Sequence, residues 1–229
     1  MKPRLSNQRT AALTRVEVMT IIIVLVILAV VLFQALHSSY SNMSGIRSEV
    51  QQINCIKNLK QIGVAFRLWE GEHNGKYPMQ VSVTNGGAME LVTTGNVAVC
   101  FQTMSNELSL SKILLCPADT RRVWATNFST GFDNSHVSYF VGLDVTNDAI
   151  PQMFLSGDDN FAIGGVPVKS GVLQLPTNTP VAWTNDRHPN KGNLGLADGS
   201  VMQVSINDLN QALNSSLAND SVTNRLVIP

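Results

Sequence analysis

The longest apolar run of the chain extends from Val18 to Leu36 and is interrupted only by Thr20 and Gln34. A helix rises 1.5 Å per residue, so this run of roughly 19 residues is about 28 Å long, close to the ~30 Å hydrocarbon core of a bilayer. The pattern therefore predicts one membrane-spanning helix, which we place at residues 13–38.

The polar residues before this run indicate its orientation. Lys2, Arg4 and Arg9 precede it, and no acidic residue occurs before Glu17. The positive-inside rule then keeps the N-terminus in the cytoplasm. A cleaved secretory signal would have a shorter apolar core of ~7–15 residues and a small-x-small exit, and neither is evident. A plain single-pass anchor is an alternative, but it leaves Glu17 unexplained, because an unpartnered carboxylate at the membrane edge costs a few kcal/mol.

A second helical pattern follows the apolar run. Apolar residues and one glycine recur at steps of three and four, which predicts an amphipathic continuation of the helix over residues 39–71. The stripe consists of Ile46, Val50, Ile53, Ile56 or Lys57, Leu59, Gly63, Phe66 and Trp69. Gly45 and the serines before it weaken the helix by up to ~1 kcal/mol each relative to alanine and allow a bend or local melting. Gly75 and Pro78 predict that the helix ends shortly after the stripe.

The remaining residues, 72–229, favour one globular domain with short strands. Apolar or aromatic runs between turn residues predict strands at residues 111–116, 137–141, 152–155, 172–175 and 181–184. Short helices are expected at residues 88–93, at residues 103–110 and after Ser205, and the segment from residue 214 onward is weakly specified. A long helix followed by a set of strands predicts an α+β chain with an antiparallel sheet.

The clearest local signal in this domain is a hairpin over residues 192–205. Its two arms alternate in polarity around Asp198 and Gly199. A two-residue Asp-Gly loop supplies the positive φ angles of a type I′ turn, so we expect that turn here. Ser205, with Asp208 three residues later, then predicts the N-cap of a short helix.

Composition narrows the possible partners. Lys and Arg together number 16, as do Asp and Glu, and no basic block occurs beyond the first residues. Nucleic acid is therefore not an expected principal partner. The three cysteines are Cys55, Cys100 and Cys116. No two of them have the spacing of a CxxC zinc motif, which argues against zinc. In an exported domain one disulfide and one free thiol would be the simplest arrangement, and three pairings are open.

Residues 11–18, Ala-Ala-Leu-Thr-Arg-Val-Glu-Val, resemble the processing motif of type IV prepilins. The resemblance implies cleavage between Ala12 and Leu13 by a prepilin peptidase, and methylation of the new amine of Leu13. It also implies that Glu17, then the fifth mature residue, neutralises the amine of a neighbouring subunit during assembly. Two positions depart from the common pattern: Ala12 stands where glycine is usual, and Arg15 where an apolar residue is usual.

Further segments resemble the type IV pilin-like and type II secretion pseudopilin family. They are Asn54 to Gly63, Asn74 to Pro78, the Cys116-Pro-Ala-Asp119 segment, and His188 followed by Asp198-Gly199, which is similar to the H-x9-D-G signature of a planctomycete and verrucomicrobial branch. The resemblance implies a Cys55–Cys116 disulfide, with a Cys100–Cys116 pairing next. All three cysteines reduced and buried is an equal alternative.

The resemblance implies a structural role and an architecture. Residues 1–12 would be a leader, and the long helix would pack on the antiparallel sheet of an extracytoplasmic or periplasmic domain at residues 72–229. The chain would span the bacterial inner membrane once, with a cytoplasmic N-terminus. Its partners would be lipid, an assembly platform in that membrane, and copies of itself or other pseudopilins in a filament. The alternative is a membrane-tethered binding module that never polymerises.

Catalysis and metal binding receive little support from the residues. His188 with Asp186 or Asp198 could form a base and its orienter, but no nucleophile elbow accompanies them, so we expect no enzyme. Major pseudopilins carry calcium in C-terminal loops, which makes calcium the one candidate cofactor. Oxygen ligands could come from Asp158, Asp159 and Asn160, or from Asp186 and Asp198, although neither set has EF-hand spacing.

Overall fold

The structure is a computed structural model, and it describes residues 14–146, 151–216 and 223–229. Helix α1 is continuous from Arg15 to Glu72, so the weak helix formers near Gly45 do not interrupt it. The chain divides into two compact units, one up to Arg47 and one from Ser48 to Pro229.

The helix of the first unit is strongly apolar. Over its segment Arg15–His37, 23 residues long, the mean hydropathy reaches 3.2 and none of the side chains is buried. Within the described ranges, this is the one helix that is long and apolar enough to cross a membrane. Those properties suit a membrane anchor or a signal sequence.

The second unit is an α+β domain, as the pattern predicted, with two antiparallel sheets in the described residues. One sheet has six strands in the order β5-β9-β1-β2-β7-β8, and the other has three in the order β4-β3-β6. The strands are β1 Tyr139–Gly142, β2 Phe154–Asp158, β3 Phe161–Ile163, β4 Val166–Pro167, β5 Gly171–Pro176, β6 Val181–Trp183, β7 Lys191–Leu196, β8 Val201–Ser205 and β9 Thr223–Ile228.

Short helices cover the segments between these strands and α1. They are α2 Met89–Val92, α3 Val97–Thr103, α4 Ser105–Leu108 and α5 Leu209–Ser215, with 3₁₀ helices at Pro78–Gln80, Val83–Asn85, Ser111–Leu114 and Asn134–His136. The three short helices expected from the sequence are present as α2, α4 and α5, and α3 was not anticipated. The N-cap expected at Ser205 was wrong, because α5 has Asp208 at that position.

The central strands of the large sheet are buried on both faces. Successive side chains of a strand point to opposite faces, and a separate core covers each face. Tyr139 and Val141 of β1 join a core that includes the second half of α1, whereas Phe140 between them joins a core on the other face. Phe154 and Leu155 of β2 divide in the same way. Apolar residues on both faces of a strand give short continuous apolar runs, which the expected strands at 137–141 and 152–155 partly captured.

The buried face of α1 differs from the predicted stripe. Its buried side chains are Gln52, Cys55, Leu59, Ile62, Ala65, Phe66, Trp69 and Glu70. Leu59, Gly63, Phe66 and Trp69 were expected on this face, but Val50 and Ile53 are about half exposed, and Ile46 is also exposed. The sequence contains two apolar stripes on different faces, and the prediction joined the start of one to the end of the other.

One strand expected in the domain is absent, and the tail supplies a strand that was not expected. Residues 111–116 do not form a strand: Ser111–Leu114 is a 3₁₀ helix, although Ile113 and Leu114 are buried as a strand pattern would also require. Conversely, the weakly specified tail supplies β9, which pairs with β5 on one side and β1 on the other. The strands expected at 172–175 and 181–184 correspond to β5 and β6.

The β7–β8 hairpin forms, but its turn is not the expected type I′. Leu196 N donates to Ser200 O at 2.9 Å and Gly199 N donates to Leu196 O at 3.0 Å, which leaves a three-residue loop. Of the loop residues, only Gly199 has a positive φ, at 84°. This is the type I turn followed by a left-handed glycine, the commonest three-residue hairpin.

The hairpin turn offers a matched pair of glycine substitutions. Gly199→Ala should lower the free energy of unfolding by about 1–2 kcal/mol, because an L side chain at this left-handed φ is strained. Gly63→Ala should be neutral or stabilising, since its added Cβ would lie 3.6 Å from Gly199, an ordinary contact, and alanine favours the helix by up to ~1 kcal/mol. Urea unfolding of the purified protein measures both, and equal losses would contradict this account of the turn.

Candidate functional site

The first candidate site is the N-terminal end of α1. Thr14 donates to Glu17 Oε2 from its backbone N at 2.8 Å and from Oγ1 at 2.9 Å. Glu17 N donates in return to Thr14 Oγ1 at 3.3 Å. These reciprocal bonds are a capping box, formed by the Thr-x-x-Glu spacing that the sequence analysis recognised only at Ser205. Glu17 is therefore not an unpartnered acid, because it satisfies the start of its own helix.

The expected cleavage positions precede this cap. Ala12 and Leu13 lie outside the described residues, as does the rest of the expected leader. Thr14 would become the second residue of a chain that starts at Leu13. The new amine would then be one residue away from the backbone N–H that Glu17 accepts.

The second candidate site lies in the domain, where a disulfide joins Cys55 of α1 to Cys116. This is the pairing that the family resemblance implied. Gln51 Nε2 donates to Pro117 O and Asn58 Nδ2 to Leu115 O, both at 3.0 Å. The disulfide thus lies between two hydrogen bonds that connect the same two segments. It closes a loop with a sequence separation of 61 residues. In the chain-entropy model, a disulfide across such a loop stabilises the folded state by about 4 kcal/mol.

The third cysteine takes no part in this link. Cys100 of α3 is a free, fully buried thiol in the core beside α1. Burial raises the pKa of its thiol, so it stays protonated at neutral pH and packs as a small apolar side chain.

A buried charge cluster begins directly after the disulfide. Asp119 N donates to Cys116 O at 2.8 Å, which closes a turn with Pro117 at its second position. The turn carries the Asp119 carboxylate inward, where Arg187 donates to it at 2.6 Å, Arg122 at 3.0 Å and Ser138 Oγ at 2.9 Å.

Asp159 shares the arginines of Asp119. Arg187 Nη2 donates to both carboxylates, Arg122 Nη2 lies 2.5 Å from Asp159, and Arg121 bridges them at 3.3 and 3.1 Å. The guanidinium of Arg187 is fully buried and also donates to Ser138 O at 2.6 Å.

Asp158 is the third acid of the charge cluster. Its Oδ2 accepts the backbone N and the side-chain Nδ2 of Asn193, at 2.8 and 2.9 Å. Its Oδ1 lies 3.6 Å from Arg187 Nη1. Three aspartates and three arginines therefore balance each other in formal charge.

The charge cluster includes two of the expected calcium ligands. Asp158 and Asp159 face guanidinium groups, so the positive charge that a calcium ion would supply comes here from arginine side chains. Asn160, the third member of that set, instead donates from Nδ2 to Thr184 O at 2.9 Å.

The charges and the burial shift the pKa values in opposite directions. Burial alone would raise the pKa of Asp119, but Arg187 and Arg121 outweigh it and hold that pKa well below its usual range. Burial raises the pKa of Asp158 to about 6, against the opposing effect of Arg187 and Asn193. At neutral pH both acids are ionised, which the paired arginines require.

His188 lies at the edge of the charge cluster, against the disulfide. Its Nε2 is 3.4 Å from Cys116 Sγ and 4.0 Å from Asp158 Oδ2, and the side chain is buried. Burial, with Arg187 and Lys191 adding to it, lowers the pKa of His188 to about 4. The imidazole is therefore neutral at pH 7, and its contact with Asp158 is not an ion pair.

The other motif residues lie elsewhere. Asp198 accepts Ser200 N at 2.8 Å inside the hairpin turn, and the ring of His188 shares no hydrogen bond with it among the described residues. Asp186 accepts Thr184 Oγ1 at 2.9 Å on the surface. The structure therefore brings neither aspartate into a hydrogen-bonded pair with His188. The sulfur that the imidazole contacts, Cys116 Sγ, is part of a disulfide and is not a free nucleophile.

Sequence analysis missed the three arginines and Asp119. Arg121 and Arg122 follow a Pro-containing turn, and Arg187 lies in the polar loop after β6. The available signal was the pair of acids Asp158-Asp159 directly after a buried strand, which require positive partners once they are buried.

Removal of the central guanidinium tests the charge cluster. Arg187→Met should lower the free energy of unfolding by about 3–5 kcal/mol, because Asp119 and Asp159 would stay buried with less compensation. Arg121→Met is the matched control and should cost about 1 kcal/mol or less, since exposed ion pairs contribute little; its side chain is 46% exposed. Urea unfolding at pH 7 measures both, and similar losses would show that Arg187 has no special role.

Acid unfolding isolates the contribution of Asp119. A carboxyl group whose pKa is lower in the folded state stabilises above its unfolded pKa of about 3.9 and loses that contribution as the pH falls below it. Asp119→Asn removes the group, so its unfolding free energy should change less between pH 5 and pH 2 than that of the wild type, from a lower starting value. Parallel curves would contradict a lowered pKa at Asp119.

Comparison with known proteins found no matching family model, curated sequence or solved structure. The case for a function therefore depends on the residues and geometry of this chain, together with the motif resemblance.

Proposed function

We propose that the chain is a pilin-like structural subunit that is cleaved between Ala12 and Leu13 and assembled into a filament of a type II secretion or type IV pilus-like machine. The observation that carries the proposal is the first part of α1. It exposes an apolar surface along 23 residues and begins with an acid that caps its own helix.

An exposed helix of this composition needs an apolar environment. Each buried large aliphatic side chain contributes roughly 1.5–3 kcal/mol when it leaves water. Arg15–His37 carries such side chains around its whole circumference rather than on one stripe, so it needs apolar surroundings on all sides. Lipid provides them before assembly, and the same helices of neighbouring copies provide them within a filament.

The capping box gives the Glu17 carboxylate hydrogen-bond partners in a single subunit, before assembly. In a single subunit, Glu17 accepts the N–H and the hydroxyl of Thr14, so its carboxylate has partners at the membrane edge. A neighbouring Leu13 amine is positively charged and offers Glu17 a stronger partner. Assembly then exchanges a local cap for an intermolecular ion pair in a medium of low dielectric constant.

The layout of the second unit supports the same role. A long helix precedes an antiparallel sheet and lies against one face of it, which is compatible with a pilin-like arrangement. The proposed protein spans the inner membrane once, with a cytoplasmic N-terminus and the domain outside. Its partners are prepilin peptidase, an assembly platform, and copies of itself or other pseudopilins.

Three variants separate the charge of Glu17 from its cap. Glu17→Gln keeps a capping side chain but removes the charge, Glu17→Val removes both, and Thr14→Val removes the hydroxyl but keeps the acid. We expect both Glu17 variants to lower recovery of the chain in sheared, sedimented filaments by at least about tenfold, because a desolvated ion pair is worth more than 1.4 kcal/mol. Thr14→Val should assemble nearly as the wild type does.

The intact mass and N-terminal sequence of each variant provide the control. Chains that start at Leu13 show that processing is intact, so a loss of filaments then reports assembly alone. Normal assembly of Glu17→Gln would show that the acid is only a cap and would overturn the ion pair. A wild type that starts at Met1, together with silent Glu17 variants, would favour the tethered binding module.

A further inference from the structure

The two disulfide cysteines and His188 form a group of possible metal ligands that has no role in the proposed function. Cys55 Sγ, Cys116 Sγ and His188 Nε2 all lie within 4.8 Å of one another, and all three residues are buried. They come from α1, from the turn after the 3₁₀ helix Ser111–Leu114, and from the loop between β6 and β7. The spacing of the cysteines in the sequence argued against zinc, but the fold brings two of them together with an imidazole.

The distances fit a tetrahedral metal once the sulfurs are separate thiolates. Zn–S bonds of about 2.3 Å and Zn–N bonds of about 2.0–2.1 Å place a sulfur and a nitrogen about 3.5 Å apart around one ion. The Cys116 Sγ to His188 Nε2 distance is already 3.4 Å. The Cα atoms of the two cysteines are 5.1 Å apart, so rotation of the side chains can separate the sulfurs to the spacing of two zinc ligands.

The positions of the two cysteines do not depend on the disulfide alone. The hydrogen bonds from Gln51 to Pro117 O and from Asn58 to Leu115 O connect the same backbone segments on both sides of it. Neither bond involves a sulfur atom, so we expect both to remain in the reduced protein and to keep the two thiols close to each other and to His188.

A carboxylate lies beside this group, but other residues already hold it. Asp158 Oδ2 is 4.0 Å from His188 Nε2 and accepts two hydrogen bonds from Asn193, and Asp158 Oδ1 faces Arg187. The proposed ligands from the protein are therefore two sulfurs and one imidazole nitrogen. Thiolate and imidazole ligands select zinc over calcium or magnesium, which prefer oxygen alone.

We propose that the reduced protein binds one zinc ion through Cys55, Cys116 and His188, and that the disulfide and the metal are alternative links at the same position. A dithiol reductant supplies two electrons and two protons to the disulfide and is itself oxidised to a disulfide. The two thiols then release two protons to the buffer as they bind Zn²⁺. His188 binds through the lone pair of Nε2 and carries its hydrogen on Nδ1.

The proposal gives α1 a link to the domain in reducing as well as oxidising surroundings. It is independent of filament assembly, because the ligands belong to one chain and all lie in the second unit. Failure of the assembly experiment would therefore leave it untouched, and the reverse also holds.

Cobalt is the spectroscopic probe for the test, because it replaces zinc and absorbs visibly when thiolates bind it tetrahedrally. The full chain in detergent is reduced with a dithiol, freed of reductant without air, and titrated with Co²⁺ and then Zn²⁺. We expect one Co²⁺ per chain, a thiolate-to-cobalt band, and its loss on addition of one equivalent of Zn²⁺. The oxidised protein should show neither band nor binding.

Two variants identify the ligands. His188→Ala should weaken Co²⁺ binding at least about tenfold, as the loss of even an outer contact to a metal ligand does. Cys100→Ser is the matched control and should bind as the wild type does, since Cys100 lies outside the ligand group.

Circular dichroism separates binding from folding. The double variant Cys55→Ser, Cys116→Ser reports whether the domain folds without either link. Reduced wild type that is folded but binds no Co²⁺ would overturn the proposal, as would equal binding by His188→Ala. Reduced wild type that is unfolded and does not refold with Zn²⁺ would also overturn it.

Discussion

The burial of the Arg187 guanidinium is the constraint on which this end of the domain depends. A buried charge is tolerated only when other groups replace its hydration. Asp119 and Asp159 supply the charge, and Ser138 O supplies a further acceptor. Because these partners come from three separate segments, the segments have to meet for Arg187 to be satisfied. The arginine therefore selects one arrangement of the loops around the large sheet.

The segment from Cys116 to Arg122 is the link between that charge cluster and α1. At its start the disulfide and its neighbouring hydrogen bonds attach it to the helix. At its end Asp119 and Arg122 attach it to the sheet through ion pairs. For the proposed filament subunit, a force on the helix would reach the sheet through a covalent bond followed by a set of short ionic contacts. Neither the attachment to the helix nor the attachment to the sheet relies on apolar contacts alone, which are weaker.

Periodicity in the sequence predicted the elements whose signal is local. α1, the β7–β8 hairpin, and the strands β1, β2, β5 and β6 follow from apolar runs and turn residues. The rotation of α1 was predicted only in part, because Val50 and Ile53 are apolar and yet about half exposed, whereas the contacts of Cys55 and Gly63 lie on the buried face.

The charge cluster could not be predicted for a similar reason. Asp158 and Asp159 were recognised as a possible ligand set, but whether such acids face a metal or an arginine depends on residues distant in the sequence. Arg187 lies 28 residues after Asp159 and 68 after Asp119. The cap at Glu17 could be predicted from the sequence, because Thr14 precedes Glu17 at the spacing of a capping box. The expected membrane environment of Glu17 favoured an intermolecular partner over this local one.

The position of β9 has a consequence for how the domain acquires its structure. This strand follows all the other described strands, yet it lies between β5 and β1 within the large sheet. Until it arrives, each of those strands presents an open edge, and the two parts of the sheet have no backbone connection through their shared neighbour. Pairings over such sequence distances form slowly, and open edges invite association with other chains. During synthesis the domain therefore passes through a stage in which its other described strands exist and its large sheet is still divided.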